Sequence, residues 1–275
     1  LNKICGGFPW RIKFFANPEL AAKRVTRSKT KSNIFPETSS AQHGFYYYPL
    51  VSGNTLYKYC TPKLFRQLLE FLDKNLWSQV TVDDNKFLTT CEKFYKTKTE
   101  ERLKLYLNKY NEGPLVINGI DVPSITILSN KIPWDNIYNG LPVIFHGDLQ
   151  FDNILYNKTE DKFTLLDWRQ DFGGEVEFGD LYYDLAKLNG GLNLQYDLIK
   201  KGLFYYEETD EQIIDYAKRL LSDEYIKILK QFANSKGLDW HKIEMITAII
   251  YLNMSPLHEY PFDKLLFALG KLKLH

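Results

Sequence analysis

Three polar side chains stand at the spacing that phosphoryl transfer from a magnesium nucleotide demands. Asp148 and Asn153 lie in His146-Gly147-Asp148-Leu149-Gln150-Phe151-Asp152-Asn153, and Asp167 closes Leu165-Leu166-Asp167. That chemistry needs one carboxylate beside the attacking hydroxyl, and an amide and a second carboxylate to hold metal ions against the phosphates. An Asp-x-x-x-x-Asn pair alone carries little information. Here His-Gly precedes the Asp, apolar runs flank the pair, and Asp167 follows Asn153 by fourteen residues. A polar hairpin with solvated carboxylates is the plainer alternative, and those flanking features count against it.

The elements that must position these groups are short strands. Val143-Ile144-Phe145 delivers His146 to a strand end, Asn153 to Tyr156 reads as a second strand, and Phe163 to Leu166 as a third with Asp167 at its end. The turn residues Asn157 to Asp161 join the last two. Asp171-Phe172-Gly173 spells a protein-kinase metal motif, but it follows Trp168-Arg169-Gln170, which is no buried strand. Asp167 is preferred because a strand end holds a side chain more tightly than a Gly-rich loop.

These segments, HGDLQFDN and LLDW, resemble the catalytic and metal motifs of the aminoglycoside phosphotransferase and choline kinase group, the small-molecule branch of the protein-kinase-like fold. Phe178-Gly179-Asp180-Leu181-Tyr182-Tyr183-Asp184-Leu185-Ala186 resembles the helix that follows the metal motif there. Detailed agreement covers roughly residues 143 to 191. The resemblance implies an α+β, protein-kinase-like two-lobed fold, with a small strand-rich N-lobe in residues 1–53 and a large, mainly helical C-lobe in 54–275.

It also implies roles. Asp148 is the expected catalytic base, Asn153 and Asp167 the Mg²⁺ ligands through oxygen. His146 is expected to be structural, and Asp184 to brace the catalytic loop. Residues 10–50 follow the order of a kinase N-lobe: the strand Trp10 to Phe15, the helix from Pro18 with Asn17 as N-cap, the aromatic strand Gly44 to Leu50, then a hinge. On that order Lys13 contacts the nucleotide phosphates and Glu19 pairs with it. The alternatives are a solvated strand lysine and a glutamate that complements the helix dipole. Gly6-Gly7 alone does not make the Gly-rich hairpin that covers phosphates in that fold, so the N-lobe is expected to be incomplete.

Composition sets outer bounds. The chain has 275 residues and a formal charge of +1, which gives no bulk electrostatic case for nucleic acid or an anionic membrane. Cys5, Cys60 and Cys91 are scattered without metal or disulfide spacing, as a cytoplasmic protein would have them. No apolar run is long enough to span a bilayer.

Beyond the motif, helices are expected from Thr61-Pro62 onward, over Lys86 to Tyr110, Pro123 to Asn130, and Leu181 to Leu188 ended by Gly190-Gly191. Further helices are expected over Leu194 to Lys201, Glu211 to Leu221, Glu224 to Asn234, Trp240 to Met254 and Phe262 to Leu274. Tyr46-Tyr47-Tyr48 fits either an adenine slot or a lobe-core strand. Phe204, Tyr205, Tyr206, Trp240 and Tyr251 fit helical core better than a box for a quaternary ammonium group. The acidic run Glu207, Glu208, Asp210 and Glu211 reads as a solvated loop, and His258 is not favoured as a ligand or base.

The expected function is an ATP- or GTP-dependent, Mg²⁺-assisted phosphotransferase acting on a hydroxyl of a small molecule. A sugar or amino alcohol is favoured, with bacterial surface-polysaccharide biosynthesis as a setting. The alternatives are an aminoglycoside-modifying kinase and a kinase-shaped binding module without turnover. A protein kinase is disfavoured, because no activation segment or Ala-Pro-Glu anchor follows Asp167.

Overall fold

The structure is a computed structural model and describes residues 2–5, 8–40 and 43–275, with side chains described for 9–39 and 43–275. Gly6-Gly7 lies outside the described residues. In chain order the elements are β1 (Asn2–Cys5), β2 (Phe8–Phe14), α1 (Pro18–Lys29), β3 (Ser39–Ser40), β4 (Phe45–Pro49), β5 (Asn54–Thr55), α2 (Leu56–Tyr59) and α3 (Pro62–Asn75). Then come α4 (Asp84–Glu92), a π-helical turn (Lys93–Thr97), α5 (Lys98–Lys109), β6 (Val116–Ile117), β7 (Ile120–Asp121), α6 (Ile125–Lys131) and α7 (Trp134–Tyr138). Four short strands follow: β8 (Pro142–Val143), β9 (Ile154–Asn157), β10 (Lys162–Leu165) and β11 (Gly179–Asp180). The chain ends with α8 (Leu181–Asn193), α9 (Tyr196–Ile199), β12 (Phe204–Glu208), β13 (Gln212–Tyr216), α10 (Ser222–Ser235), α11 (Trp240–Met254) and α12 (Phe262–Leu274).

These elements form two compact units, residues 1–81 with 141–184, and residues 82–140 with 185–275. In the first, β1, β2, β4 and β3 make a four-stranded sheet in that order. Lys13 of β2 stands opposite Tyr46 of β4. Helix α1 starts as its sequence predicts: the Asn17 side chain accepts from Glu19 N at 2.9 Å and Pro18 occupies the first turn. Its apolar stripe, Ala21 and Val25, packs on the buried rings of Tyr46 and Tyr48, with Phe15 and Leu166 alongside. The tyrosine run is therefore sheet core at positions 46 and 48. Burial of Val25 contributes roughly 1.5–3 kcal/mol and that of the Ala21 methyl about 0.8 kcal/mol.

Thr61 caps α3 by accepting from Leu64 N at 3.2 Å, and Leu64, Phe65, Leu68, Leu69 and Leu72 form its buried face. Strands β10, β9 and β5 make a second sheet. The β9–β10 turn closes because Asn157 Oδ1 accepts from Thr159 N at 3.0 Å while Asp161 takes a left-handed backbone, φ 48°. The pair β8–β11 is a third, two-stranded sheet.

The second unit is mostly helical. Helices α11 and α12 pack together, and their buried side chains dominate its core. Tyr106 of α5 stacks on Phe267 of α12 at 3.9 Å between ring centres. Two expectations fail here. Residues Glu211 to Leu221 are not a helix: Gln212–Tyr216 is β13, paired antiparallel with β12 and parallel with β6. The β-branched pair Ile213-Ile214 suits a half-buried strand, and the partners that select it lie elsewhere in the chain. Nor does Gly190-Gly191 end α8, which runs to Asn193. Helix α8 continues through Gly190 against α11: Tyr251 OH donates to Gly190 O at 2.7 Å, and an added Cβ would make only ordinary contact, 3.6 Å from Thr247 Cγ2. Among the described residues no helix is long and apolar enough to cross a membrane.

Gly44 has φ +81°, and a Cβ there would stand 2.2 Å from Phe15 O. Gly202 has a similar φ of +72° with nothing within 4 Å of that position. Gly202→Ala is expected to cost roughly 1 kcal/mol, the left-handed penalty alone. Gly44→Ala is expected to cost that plus roughly 1–3 kcal/mol for the clash, measured by denaturant unfolding of the two variants.

Candidate active site

The loop after β8 is shaped by backbone hydrogen bonds that converge on one carboxylate. Asp184, in the first turns of α8, is fully buried. Its Oδ2 accepts from His146 N at 2.7 Å and from Trp77 Nε1 at 3.0 Å, and its Oδ1 accepts from Gly147 N at 2.6 Å. Burial pushes its carboxyl up to about 6, against the pull of those donors and of the Arg27 charge. Gly147 turns at φ +85°, and an added Cβ there would stand 2.5 Å from Arg169 Cβ.

The His146 ring is buried and bonded at both nitrogens. Asp148 N donates to Nδ1 at 3.1 Å, so the proton sits on Nε2, which faces Leu166 O at 2.8 Å. Burial lowers its pKa to about 4, so the ring is neutral at physiological pH. It links the loop to the strand end that carries Asp167, and its one N–H is taken by Leu166 O.

Asn153 lies in a single turn of 3₁₀ helix just before β9. Its Nδ2 donates to Asp148 O at 2.8 Å and to Asp148 Oδ2 at 3.0 Å. These bonds fix the Asp148 carboxylate and leave the amide oxygen Oδ1 as the atom suited to a cation. Leu166 N donates to Asn153 O at 2.7 Å, tying β10's end to the same turn. The next residue, Asp167, takes a left-handed backbone of φ 55°. Its Oδ1 meets Lys13 Nζ at 2.5 Å. The structure therefore brings Lys13 and Asp167 together, and separately Asp148 and Asn153.

The expected pair of Lys13 with Glu19 is not formed. Glu19 is exposed in the first turn of α1, and among the described residues no ion pair joins it to Lys13. The positions of α1 that reach the loops lie further along and are basic. Lys23 Nζ meets Asp171 Oδ2 at 3.0 Å, Arg24 O accepts from Trp168 Nε1 at 2.8 Å, and Arg27 donates to loop carbonyls. Asp171, of the Asp-Phe-Gly sequence, is thus engaged by a helix lysine. Sequence reasoning missed Lys23, Arg27 and Trp77. Only the four-residue spacing of Lys23 and Arg27, which puts both on one helix face, could have signalled the first two.

Among the described residues no group of three or more His, Cys, Asp or Glu side chains could hold a metal. The oxygens of Asn153 and Asp167 nevertheless suit Mg²⁺, which takes one or two protein ligands and completes its shell with phosphate and water. That a lysine ammonium rests on Asp167 shows that this carboxylate accepts a cation in its local setting.

The aromatic groups of the second unit do not form one box. Phe204 packs edge-on against Phe262, Tyr206 OH donates to Glu208, and Tyr251 is spent on Gly190. His258 lies against Tyr196 and Phe262, and burial lowers its pKa. Glu208 is not solvated loop but strand, and it pairs with Lys264 at 3.0 Å.

No protein-family profile and no curated protein sequence matches the chain. Solved structures do. The ethanolamine kinase of Plasmodium vivax is similar over 99% of this chain and 76% of that one, with 12% identity and a TM-score of 0.54. A spectinomycin phosphotransferase, APH(9)-Ia, in complex with ADP and spectinomycin, aligns over 99% of this chain and 83% of that one, with 13% identity and a TM-score of 0.40. The likeness to the ethanolamine kinase is one of fold. The chain thus combines helices with small sheets in a fold similar to that of the ethanolamine kinase.

The Asp184 shift has a sign that can be measured. Its folded pKa of about 6 lies above the ordinary carboxyl value of 3.8, so the folded state binds the proton more tightly than the unfolded chain. The stabilisation linked to that proton is full below the unfolded value and is lost as pH rises through the folded one. Asp184→Asn cannot titrate. The melting temperature of the wild type minus that of this variant is expected to fall between about pH 4 and about pH 6 and to level off above.

Proposed function

We propose that the protein is a phosphotransferase that moves the terminal phosphoryl group of ATP or GTP to a hydroxyl of a small molecule. The observation that carries this reading is the geometry around Asp167: a strand-end carboxylate on the Lys13 ammonium, beside a turn in which Asn153 holds the carboxylate of Asp148. The fold shared with a small-molecule kinase supports it.

Each residue then has a task. Lys13 leaves Asp167 for the nucleotide phosphates, where a point charge suits a phosphate oxygen. Asn153 Oδ1 and an oxygen of Asp167 would hold Mg²⁺, which when bound neutralises charge developing on the transferred group. Asp148, fixed by Asn153, accepts or orients the proton of the acceptor hydroxyl. His146 and Asp184 keep the loop in shape. On this reading residues 1–53 carry the phosphate contact, and residues 54–275 carry the base, the metal ligands and the acceptor site. The acceptor class is a sugar or amino alcohol, the setting cytoplasmic, and bacterial surface-polysaccharide assembly a pathway that would use such a product.

The test is nucleotide turnover against a panel of hexoses, amino alcohols and aminoglycosides, with Mg²⁺ present and absent. Asp148→Asn is expected to lower kcat by roughly 10²–10⁴-fold, the usual contribution of a positioned base, while nucleotide binding is retained. Metal-dependent nucleotide binding without turnover on any acceptor would favour a kinase-shaped binding module. Turnover on aminoglycosides alone would favour an antibiotic-modifying enzyme.

A further inference from the structure

Arg27 is the least expected residue near the loop. It lies on α1 and is 2% exposed. One guanidinium nitrogen, Nη2, donates to Phe145 O. The other, Nη1, donates to Arg169 O and reaches His146 O at 3.5 Å. Its carbon stands 4.1 Å over the Phe145 ring. Burial lowers its pKa to about 9, which leaves it charged at neutral pH.

The bonding pattern is paired. Phe145 O and His146 N belong to one peptide group, and His146 O and Gly147 N belong to the next. Asp184 takes both N–H groups. Arg27 takes Phe145 O and lies 3.5 Å from His146 O, the weaker of the two contacts. In a trans peptide the N–H and C=O point to opposite sides. Two consecutive peptide planes are thus held from opposite sides, by an anion on the donors and a cation on the acceptors. Asp148 follows directly. Arg27 also reaches the far side of the metal-motif strand end through Arg169 O, whose own N–H donates to His146 O at 2.9 Å.

We propose that Arg27 is a positioning residue that, with Asp184, clamps the two peptide groups ahead of Asp148 and couples the seating of helix α1 to the aim of that carboxylate. The catalytic half of this proposal rests on the phosphotransferase reading; the clamp itself does not. The guanidinium is a planar fork that sends one nitrogen to Phe145 O and the other to Arg169 O in a fixed geometry. Lysine keeps the charge but gathers its donors on one flexible nitrogen, so it does not reproduce the fixed two-nitrogen hold on Phe145 O and Arg169 O. A purely electrostatic role would tolerate that exchange, and the clamp would not.

The experiment compares wild type, Arg27→Lys and Arg27→Gln by amide hydrogen exchange without ligands, and by steady-state kinetics with Mg²⁺-nucleotide. In Arg27→Lys the amides of His146, Gly147 and Arg169 are expected to exchange at least about tenfold faster, with helices α11 and α12 unchanged, because only a local opening is made easier. Turnover is expected to fall on the order of 10²-fold through kcat, with KM for nucleotide changing far less, as for a misplaced reacting group. Unchanged exchange at those amides, or acceleration spread evenly over the chain in both variants, would overturn the clamp. Faster local exchange with kcat intact would overturn the coupling to Asp148. If the wild type shows no metal-dependent turnover, the phosphotransferase reading fails, and the exchange data still decide whether Arg27 clamps the loop.

Discussion

The Asp184 carboxylate lies out of solvent and still receives hydrogen bonds from the amides of His146 and Gly147 and from the Trp77 indole. Removing a carboxylate from water costs several kcal/mol unless its oxygens are bonded and a counter-charge is near. Here both conditions hold, since Arg27 supplies the charge. The cost is reduced, though not cancelled, only in one backbone shape, so the loop has little choice. Gly147 takes its left-handed turn, the His146 ring closes between Asp148 N and Leu166 O, and Asn153 fastens Asp148. Loss of Asp184 would leave two buried amides unsatisfied as well as freeing the loop.

A second constraint lies at the end of β10. Asp167 sits in a backbone region that is unfavourable for a side chain with a Cβ, and its carboxylate rests on Lys13. Such strain is held by its surroundings: Leu166 N bonds to Asn153 O, and Leu166 packs beside the Tyr46 and Tyr48 core. The same core carries α1, and through Tyr46 it backs the strand that presents Lys13. One small apolar cluster therefore underlies Lys13, the carboxylate it meets, and the helix whose Arg27 reaches the loop.

What was legible in the sequence was local. Asp148, Asn153 and Asp167 could be read because their spacing and flanking apolar runs lie within about twenty residues, and Asn17, Thr61 and Asn157 announced their caps and turn in the same way. The rest depended on distant partners. The helix expected over Glu211 to Leu221 fails because nothing nearby in the sequence reveals the pairing of Gln212–Tyr216 with β12 and β6. Gly190-Gly191 reads as a helix stop, whereas α8 continues past it to Asn193 with Gly190 O bonded by Tyr251 of α11. Glu19 is expected to pair with Lys13 from the order of a kinase N-lobe, but the turn of the helix puts Lys23 and Arg27 toward the loops instead. Arg27 bonds to backbone carbonyls more than a hundred residues away, and a carbonyl leaves no mark on side-chain patterns.

The claim on which the account turns is that Asp167 exchanges Lys13 for a metal-bound nucleotide. A thermal-shift titration with ATP and GTP, each with and without Mg²⁺, in wild type and in Asp167→Ala, tests it directly. Ligand that binds the folded state raises the melting temperature by mass action. The account predicts a nucleotide shift in the wild type that depends on Mg²⁺ and is lost in the variant. An equal shift in both proteins, or one indifferent to Mg²⁺, would contradict it.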